Sequence, residues 1–504
     1  MLKVKVWDIF ELPLSADIGG ITNPFTQISL KAIVTGPNGE QTIEGFYDGG
    51  SLFLLRYMPS AQGKYHLITR SNIAALNQIE TDFEATAHDQ AHHGPVIADG
   101  MHFRHADGAR FFVMGTTAYV WHHRPNEVRQ KTLNSFSQYG FNKIRMLFFP
   151  KHYTGSFGRI DVSYEPPCYP FEGEPRSFDF SRPNPAYFRE FEFRLRELGQ
   201  RGIIADVILF HPYDFGHWDL DAGMDEDDAL FYLKYLIARI SCFHNVWWSL
   251  ANEYDIKMLP DKQSMIVDFD RRDWDVIGEF VKARDIYHHP ISCHNIAFGR
   301  IYPDRPWLSH VSYQHPDTYT LMLELQKAYH KPVINDEYQY EGNLPDEWGN
   351  STGQVELERH WRSAMAGGYA THGEAFIRDN NRDIFWAYGG DMIGESPKRL
   401  KFMKEILSKC PFEQMERDLV NSDSQHYYTL KKGTDFYLVF MRDDLPGKSL
   451  WLGDWRSKER KNVRYKATVY DVWNCSMVKE EILSPSCSQP ITAWTAVILE
   501  KVIV

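Results

Sequence analysis

Residues 186–210 read AYFREFEFRLRELGQRGIIADVILF, and this stretch decides the fold. Apolar side chains recur in its first half at helical spacing, at Phe188, Phe191, Leu195 and Leu198. Gly202 closes the predicted helix. The apolar run that follows, residues 203–210, is typical of a strand buried on both faces. A helix that leads directly into such a strand is one unit of a parallel α/β sheet.

The same alternation of helical periodicity and apolar runs extends from about residue 110 to residue 377. Eight runs have the character of strands: 111–121, 142–150, 203–210, 246–254, 289–295, 308–315, 331–338 and 371–377. Eight βα units in a segment of this length match the size of a (β/α)8 barrel. We therefore predict an α/β fold with a central (β/α)8 TIM barrel.

Both ends of the chain have a different pattern, with short alternating runs separated by Gly, Pro and Asn. This pattern is typical of antiparallel β-sandwiches. We predict an N-terminal β-sandwich with its linker over residues 1–95, the barrel over 96–414 and a small C-terminal β-domain over 415–504. The polar, His-rich residues from about 71 to 100 are the predicted linker.

The amino-acid composition excludes some partners and cellular locations. The 504 residues include 55 Lys and Arg against 67 Asp and Glu, a net charge of −12, which opposes binding to a phosphate backbone. Aromatic residues make up 14% of the chain, and such rings can serve as platforms for sugar faces. The six cysteines contain no CxxC pair, and residues 1–14 contain no apolar signal segment, so we expect a cytoplasmic protein with no membrane or nucleic-acid partner.

Catalytic groups of such barrels lie at the carboxyl ends of the strands. Two carboxylates stand there, Glu253 after the fourth predicted strand and Glu337 after the seventh. Glycoside hydrolysis needs such a pair, at about 5 Å for retention of configuration and at about 6.5 Å or more for inversion. Because side chains alternate along a strand, only one of Asp336 and Glu337 is expected to face inward.

Several motifs resemble those of glycoside hydrolase clan A. The stretch FHNVWWSLANEYD (243–255) is similar to the strand-4 motif of the clan, KPVINDEYQ (331–339) to its strand-7 motif and GFNKIRMLFFP (140–150) to its strand 2 with its Arg. The whole chain resembles the family-5-like glycosidases, including the apiosidase-like branch, with a β-domain at each end.

This resemblance implies a retaining glycosidase with Glu253 as acid/base and Glu337 as nucleophile. It also implies that Asn252 holds the sugar 2-hydroxyl, Arg145 keeps the nucleophile ionised and Tyr313 donates a hydrogen bond to it. Many relatives carry a His two positions before that Tyr, whereas here His315 lies two positions after it. Further predicted substrate-binding residues are His211, His294, Trp121 and Trp386.

The predicted reaction is exo-acting hydrolysis of short oligosaccharides or glycosides, with no cofactor and no metal. Two alternatives stay open: a non-catalytic carbohydrate-binding protein on a barrel scaffold, and a metal-dependent barrel hydrolase. His211 and His294 can equally be buried histidines that brace the site. The β-domains can close the pocket, form a homo-oligomer or be purely structural.

Overall fold

The computed structural model describes residues 2–151, 153, 165–213, 215–259, 264–296, 298–378, 384–423, 425–446, 449–452, 463–483 and 487–503. The chain forms a central parallel barrel with antiparallel sheets on either side of it in sequence.

The centre is one sheet of eight parallel strands, which confirms the predicted barrel. We number these strands in chain order: β1 Gly115–Thr117, β2 Lys143–Leu147, β3 Ile204–Phe210, β4 Val246–Ala251, β5 Ile291–Ser292, β6 Val311–Gln314, β7 Val333–Glu337 and β8 Tyr369–His372. Their order in the sheet is β5-β4-β3-β2-β1-β8-β7-β6. The gap between the outer two strands is bridged where the Ser309 amide donates to the Ile291 carbonyl at 2.9 Å. All eight strands therefore direct their carboxyl ends to one mouth.

Seven helices surround the barrel. They are α1 Asn126–Tyr139, α2 Pro185–Gly199, α3 Glu226–Ile240, α4 Trp274–Arg284, α5 Thr320–Tyr329, α6 Gly353–Met365 and α7 Ser396–Ser408. In the described part of the connection between β5 and β6 the chain forms no helix, unlike in the other seven βα units. Along the described residues, no helix is long and apolar enough to cross a bilayer.

Helix α2 shows why the opening stretch folds as it does. The Asn184 side chain caps the helix by accepting from the Ala186 amide at 3.1 Å, and Pro185 takes the first helical position. The predicted apolar face is buried, and the helix ends at Gly199. Gly202, with φ of +66°, belongs to the turn into β3, where a left-handed backbone favours glycine.

The N-terminal sandwich is built from two sheets. Five strands lie in the spatial order Leu2–Lys5, Glu80–Thr86, Gly63–Ser71, Leu30–Gly36 and Gly39–Glu44, and three lie in the order Phe10–Ser15, Leu52–Tyr57 and Phe46–Tyr47. Phe10 of the second sheet stacks on Phe83 of the first, with ring centroids 3.9 Å apart. The expectation of a linker from residue 71 is therefore wrong, because Phe83 and Ala85 alternate into this core and make Glu80–Thr86 a strand of the first sheet.

The C-terminal sheet has six strands. In spatial order they are Glu416–Arg417, Tyr427–Lys432, Phe436–Met441, Thr495–Ile503, Val463–Asp471 and Ser476–Leu483, and Ser449–Leu452 pairs separately with Cys487–Pro490. The sheet packs on the barrel through Phe440, whose ring stacks on that of Trp361 in α6 at 4.8 Å.

The remaining elements are short. They comprise the helices Pro24–Gln27 and Phe385–Tyr388, the 3-10 turns Ala74–Leu76, Trp121–His123, Glu347–Gly349, Phe412–Gln414 and Leu419–Asn421, and the strand pairs Val96–Asp99 with His102–His105, Phe171–Glu174 with Ser177–Pro183, Ile256–Met258 with Met265–Val267, and Glu341–Gly342 with Glu374–Ala375.

A buried ion network joins the N-terminal sandwich to the barrel. Glu192 of α2 accepts from Arg56 of the sandwich at 2.9 Å and from Arg239 of α3 at 2.5 Å. Arg239 also donates to Asp48 at 2.7 Å. All four side chains are almost fully buried. Water therefore cannot replace a charged partner, and the loss of one of these groups would leave the others unpaired inside the protein.

Candidate active site

Two carboxylates lie at the barrel mouth. Glu253 follows β4 by two residues and is 8% exposed, and Glu337 is the last residue of β7 with 13% of its side chain exposed. Glu253 has φ of +54°, a left-handed conformation that costs a non-glycine residue about 1–2 kcal/mol. Such strain is concentrated at functional sites, where the surrounding structure enforces it.

Glu337 is surrounded by donors that favour its charged form. Its Oε2 accepts from the Tyr119 hydroxyl at 2.9 Å and from Arg145 Nη1 at 3.2 Å, and His294 Nε2 lies 3.5 Å away. Burial acts in the opposite direction, but the contact with His294 and the charge of Arg145 lower the pKa of Glu337 to about 2. Glu337 is therefore an anion throughout the neutral range.

The environment of Glu253 has the opposite effect. Burial, and next the negative charge of Glu337, raise the pKa of Glu253 to about 8, while the ammonium of Lys151 opposes the shift. One carboxyl is thus protonated at pH 7 and its neighbour ionised, the division of roles that acid/base chemistry requires.

The same side chains connect the two carboxyl-bearing strands. Arg145 Nη2 donates to Asn252 Oδ1 at 2.5 Å, and the Tyr119 hydroxyl lies 3.2 Å from that oxygen. Asn252 in turn donates from Nδ2 to the Tyr213 hydroxyl at 2.8 Å. Strands β2, β4 and β7 and the segment after β1 therefore contribute to one polar network.

A bulge changes which side chains of β7 face inward. Between β6 and β7 the register shifts, so that Tyr313 pairs with Asn335 but Gln314 pairs with Glu337. As a result Asp336 and Glu337 both lie on the barrel interior, and the expectation that only one of them faces inward is wrong. The pKa of Asp336 is also lowered, mainly by Lys143, against the effect of burial.

Asp336 closes a layer of charges beneath the site. It accepts from Lys143 Nζ at 2.6 Å, from Ser312 at 2.7 Å and from Thr371 at 2.6 Å. Lys143 also pairs with Asp206 at 2.9 Å. These fully buried groups hold β2, β3, β6, β7 and β8 together, so Asp336 supports the mouth and Glu337 faces it.

The hydrogen bond assigned to Tyr313 is made by Tyr119 instead. The Tyr313 hydroxyl donates to the Asp317 carbonyl at 3.3 Å, and the side chain is fully buried among core residues. The physical reason is the alternation of side chains along β6. Ser312, the residue before Tyr313, faces His294 and Asp336 inside the barrel, so Tyr313 faces the surrounding core. His315 accepts from the Asp317 amide at 3.0 Å and thus orders the turn after β6.

The other predicted residues divide between the site and the core. Arg145, Asn252 and His294 belong to the network above, and Trp386 lies against Tyr119 with ring centroids 6.1 Å apart. Trp121 is fully buried in the main hydrophobic core. His211 is fully buried, its ring stacks on Tyr213, and burial lowers its pKa to about 3, so it braces Tyr213 as a neutral ring.

The site also contains residues for which no catalytic or substrate-binding role was predicted from the sequence, among them Tyr119, Lys151, Tyr213 and Gln314. The Gln314 amide, oriented to donate, lies 3.1 Å from Glu253 Oε1. Lys151 places its ammonium 3.9 Å from the ring centre of Tyr213 and 4.8 Å from that of Tyr119. A sequence signal for Lys151 existed, because it is the first charged residue after the apolar run that ends β2. Within the described ranges, no group of three or more His, Cys, Asp or Glu side chains is arranged to hold a metal.

A parallel barrel with two carboxyl groups at its mouth is an arrangement typical of glycoside hydrolases. Comparison with known proteins identifies the family. Residues 98–412 match the model of the apiosidase-like catalytic domain, and residues 3–72 match a domain of unknown function, DUF5060. The chain belongs to the apiosidase-like family of glycosidases.

Solved structures agree with this assignment. A candidate glycoside hydrolase of Bacteroides vulgatus ATCC 8482 is 35% identical, with a TM-score of 0.87 over 100% of both chains. A family 5 glycoside hydrolase of the same organism is 16% identical, with a TM-score of 0.60 over 81% of this chain and 94% of its own, and this likeness shows the fold alone. No curated protein matches the chain.

Proposed function

We propose that the protein is a retaining, exo-acting glycosidase of short oligosaccharides or glycosides, with Glu253 as acid/base and Glu337 as nucleophile. One observation carries this proposal: two carboxyl groups lie at the same barrel mouth, and the donors Tyr119 and Arg145 contact Glu337 but not Glu253. These surroundings lower the pKa of Glu337, whereas burial raises that of Glu253. The rules of general acid catalysis favour the protonated group as proton donor and the ionised group as nucleophile.

In the first step Glu337 attacks the anomeric carbon while Glu253 gives its proton to the glycosidic oxygen. The bond to the leaving group breaks, the alcohol departs and an ester joins the sugar to Glu337. Glu253 is then an anion. In the second step it takes a proton from water, the resulting hydroxyl attacks the anomeric carbon from the vacated side, and Glu337 leaves as carboxylate. Two displacements at one carbon give net retention.

The network around Glu337 supports this sequence. Tyr119 and Arg145 both donate to Oε2 of Glu337, which keeps the carboxylate charged and fixes its orientation. Asn252 is held by the same two donors, which supports its proposed contact with the sugar 2-hydroxyl. Hydrogen bonds to the 2-hydroxyl strengthen in the oxocarbenium-like transition state.

An aromatic wall favours a closed pocket for one terminal sugar. Trp386 packs against Tyr153 at 5.0 Å and against Trp348 at 5.0 Å between ring centres. With Tyr340 these rings form a buried cluster next to Glu337. A wall on this side of the mouth opposes passage of a polymer and supports exo action.

We also propose three domains, over residues 1–95, 96–414 and 415–504, and a cytoplasmic site of action. The separate antiparallel sheets on each side of the barrel support the division. Five cysteines, namely Cys168, Cys242, Cys293, Cys410 and Cys475, are free thiols, which agrees with a reducing compartment.

The test is a panel of aryl glycosides with wild type and Glu337→Gly, with and without azide. A nucleophile-less enzyme should regain activity with azide and form a glycosyl azide of inverted configuration, whereas Glu253→Gly should yield the retained azide. Proton NMR of the first product of the wild type should show retention.

Three outcomes reject the proposal. Inverted product from the wild type excludes the double displacement. Sugar binding without cleavage of any glycoside favours the carbohydrate-binding alternative. Loss of cleavage in chelator, restored by a divalent metal, favours the metal-dependent hydrolase.

A further inference from the structure

Lys151 is a cation inside the site to which the proposed mechanism gives no role. Its ammonium lies over four aromatic rings, with the centroids of Tyr213, Tyr119, Tyr153 and Trp386 at 3.9, 4.8, 4.8 and 5.5 Å. Each contact of this kind contributes about 0.5–2 kcal/mol, so the rings hold the side chain in place. The rings themselves accept no conventional hydrogen bond.

The N–H groups of the ammonium are therefore available to a ligand. Lysine carries three N–H donors, and among the described residues no carboxylate pairs with Lys151. Glu253 and Glu337 act on it only through their charges. A half-buried cation without a paired anion is costly unless a ligand supplies the anion.

The barrel mouth contains two cationic side chains, Lys151 and Arg145. Burial lowers the pKa of Lys151 to about 8, so it is charged at pH 7, as is Arg145. Glu337 supplies one negative charge, while Glu253 is protonated and His294, with its pKa lowered by burial, is neutral. Lys151 and Arg145 thus bring two positive charges to the mouth of a chain whose net charge is −12, beside the carboxylate of Glu337 and that of Asp255, whose charge also acts on Glu253. A partly enclosed site focuses the field of such charges on a ligand.

We propose that Lys151 binds an anionic substituent of the substrate, so that the enzyme acts on acidic glycosides, whose sugar carries a carboxylate or a sulfate ester. This inference rests on the proposed hydrolysis and names its substrate class. The rings around the ammonium stack on the sugar, and the ammonium donates charge-assisted hydrogen bonds to the acidic group. A neutral sugar offers hydroxyls in place of an anion and leaves the positive charge uncompensated.

A competing role for Lys151 is to modulate the proton affinity of Glu253 only. In that case removal of its charge would change the pH profile for acidic and neutral substrates alike. Recognition of an anion predicts instead that the preference between the two substrates changes.

The test compares 4-nitrophenyl glucuronides and galacturonides with the matching glucosides and galactosides, and includes the 6-sulfated forms, at low and high salt. Wild type should favour one acidic series by about 30-fold in kcat/KM at low salt, and less at high salt. In Lys151→Met the ratio of acidic to neutral kcat/KM should fall to about 1, and Lys151→Arg should restore most of it. The comparison of carboxylated with sulfated substrates identifies which anion Lys151 binds.

Lys331→Met is the matched control, since Lys331 pairs with Asp304 at the surface and its loss should leave the ratio unchanged. Circular dichroism verifies folding, and Lys151→Gln replaces the Met variant if that variant is unfolded. A wild type that prefers neutral glycosides, or a Lys151→Met enzyme that keeps an acidic preference, overturns the inference while the proposed hydrolysis stands.

If no glycoside is cleaved, a binding measurement separates the inference about the substrate class from the proposed hydrolysis. Calorimetric titration with glucuronate, galacturonate and glucose 6-sulfate, against glucose and galactose, then decides. Binding of an acidic sugar that is lost in Lys151→Met keeps the inference and rejects hydrolysis. Absence of acidic-sugar binding to the wild type rejects both.

Discussion

Replacing the Glu253 carboxyl by an amide separates proton donation from every other function of this side chain. Glu253→Gln is isosteric and keeps a carbonyl oxygen that can accept from Gln314. A pKa of about 8 means that about nine tenths of Glu253 are protonated at pH 7 and about one tenth at pH 9. Wild-type kcat/KM should therefore fall nearly tenfold between these two pH values for substrates that need a proton.

The variant removes that proton at every pH. For alkyl glycosides, whose leaving oxygen must be protonated, kcat/KM should drop by about 10²–10⁴. For 2,4-dinitrophenyl glycosides, whose phenoxide departs without a proton, the drop should stay below about tenfold. The decline of kcat/KM above pH 8 should also be absent from the variant.

The assay measures initial rates on both leaving groups from pH 5 to pH 10, with wild type, Glu253→Gln and Glu174→Gln. Glu174 lies exposed in the hairpin Phe171–Glu174 with Ser177–Pro183, and its replacement should change nothing. Equal losses for the two leaving groups in Glu253→Gln would refute the assignment of the acid, as would a variant that keeps the alkaline decline.

Other perturbations test the rest of the site and the scaffold. Tyr119→Phe deletes the 2.9 Å bond to Glu337, so kcat/KM should fall about 10- to 100-fold and the acidic limb of the pH profile should move to higher pH; an unmoved limb contradicts this. Glu337→Gln removes a neighbouring negative charge, so carbon-13 NMR should find the pKa of Glu253 below about 8. Glu192→Ala leaves two buried guanidinium groups short of a partner and should reduce the free energy of unfolding by about 3–5 kcal/mol in urea titrations. The two arginines lower the pKa of Glu192 despite its burial, so its ion pairs contribute fully to stability above the pKa that Glu192 has in the unfolded state. The difference in free energy of unfolding between wild type and variant should therefore shrink as the pH falls below about 4.5. Incubation with a chelator should leave cleavage unchanged.

Periodicity was sufficient to predict the barrel because its strands are buried on both faces. The runs 203–210 and 246–254 contain β3 and β4. At the first predicted run, the observed strand is much shorter than the prediction. Only Gly115–Thr117 of the run 111–121 is a strand, since the backbone then bends so that the Tyr119 amide bonds the Trp386 carbonyl at 3.0 Å. Local apolar content cannot reveal such long-range pairing.

The site was harder to predict than the fold. Sequence position identified the carboxyl-bearing strand ends, because every parallel strand of a closed sheet ends at the same mouth. Simple alternation failed at Asp336, since the bulge that reorients β7 relative to β6 is a property of two strands together. The cation of Lys151 is held by rings from three separate segments, an arrangement that no short window of sequence contains.

The left-handed backbone at Glu253 links stability to activity in this enzyme. A side chain that must adopt φ of +54° makes the native state less stable than a glycine at that position would, by about 1 kcal/mol. A glycine substitution would relieve the strain and also remove the buried carboxyl. Selection for heat resistance alone would therefore favour enzymes that have lost the proposed proton donor, and laboratory evolution of this scaffold needs a screen for turnover at every round.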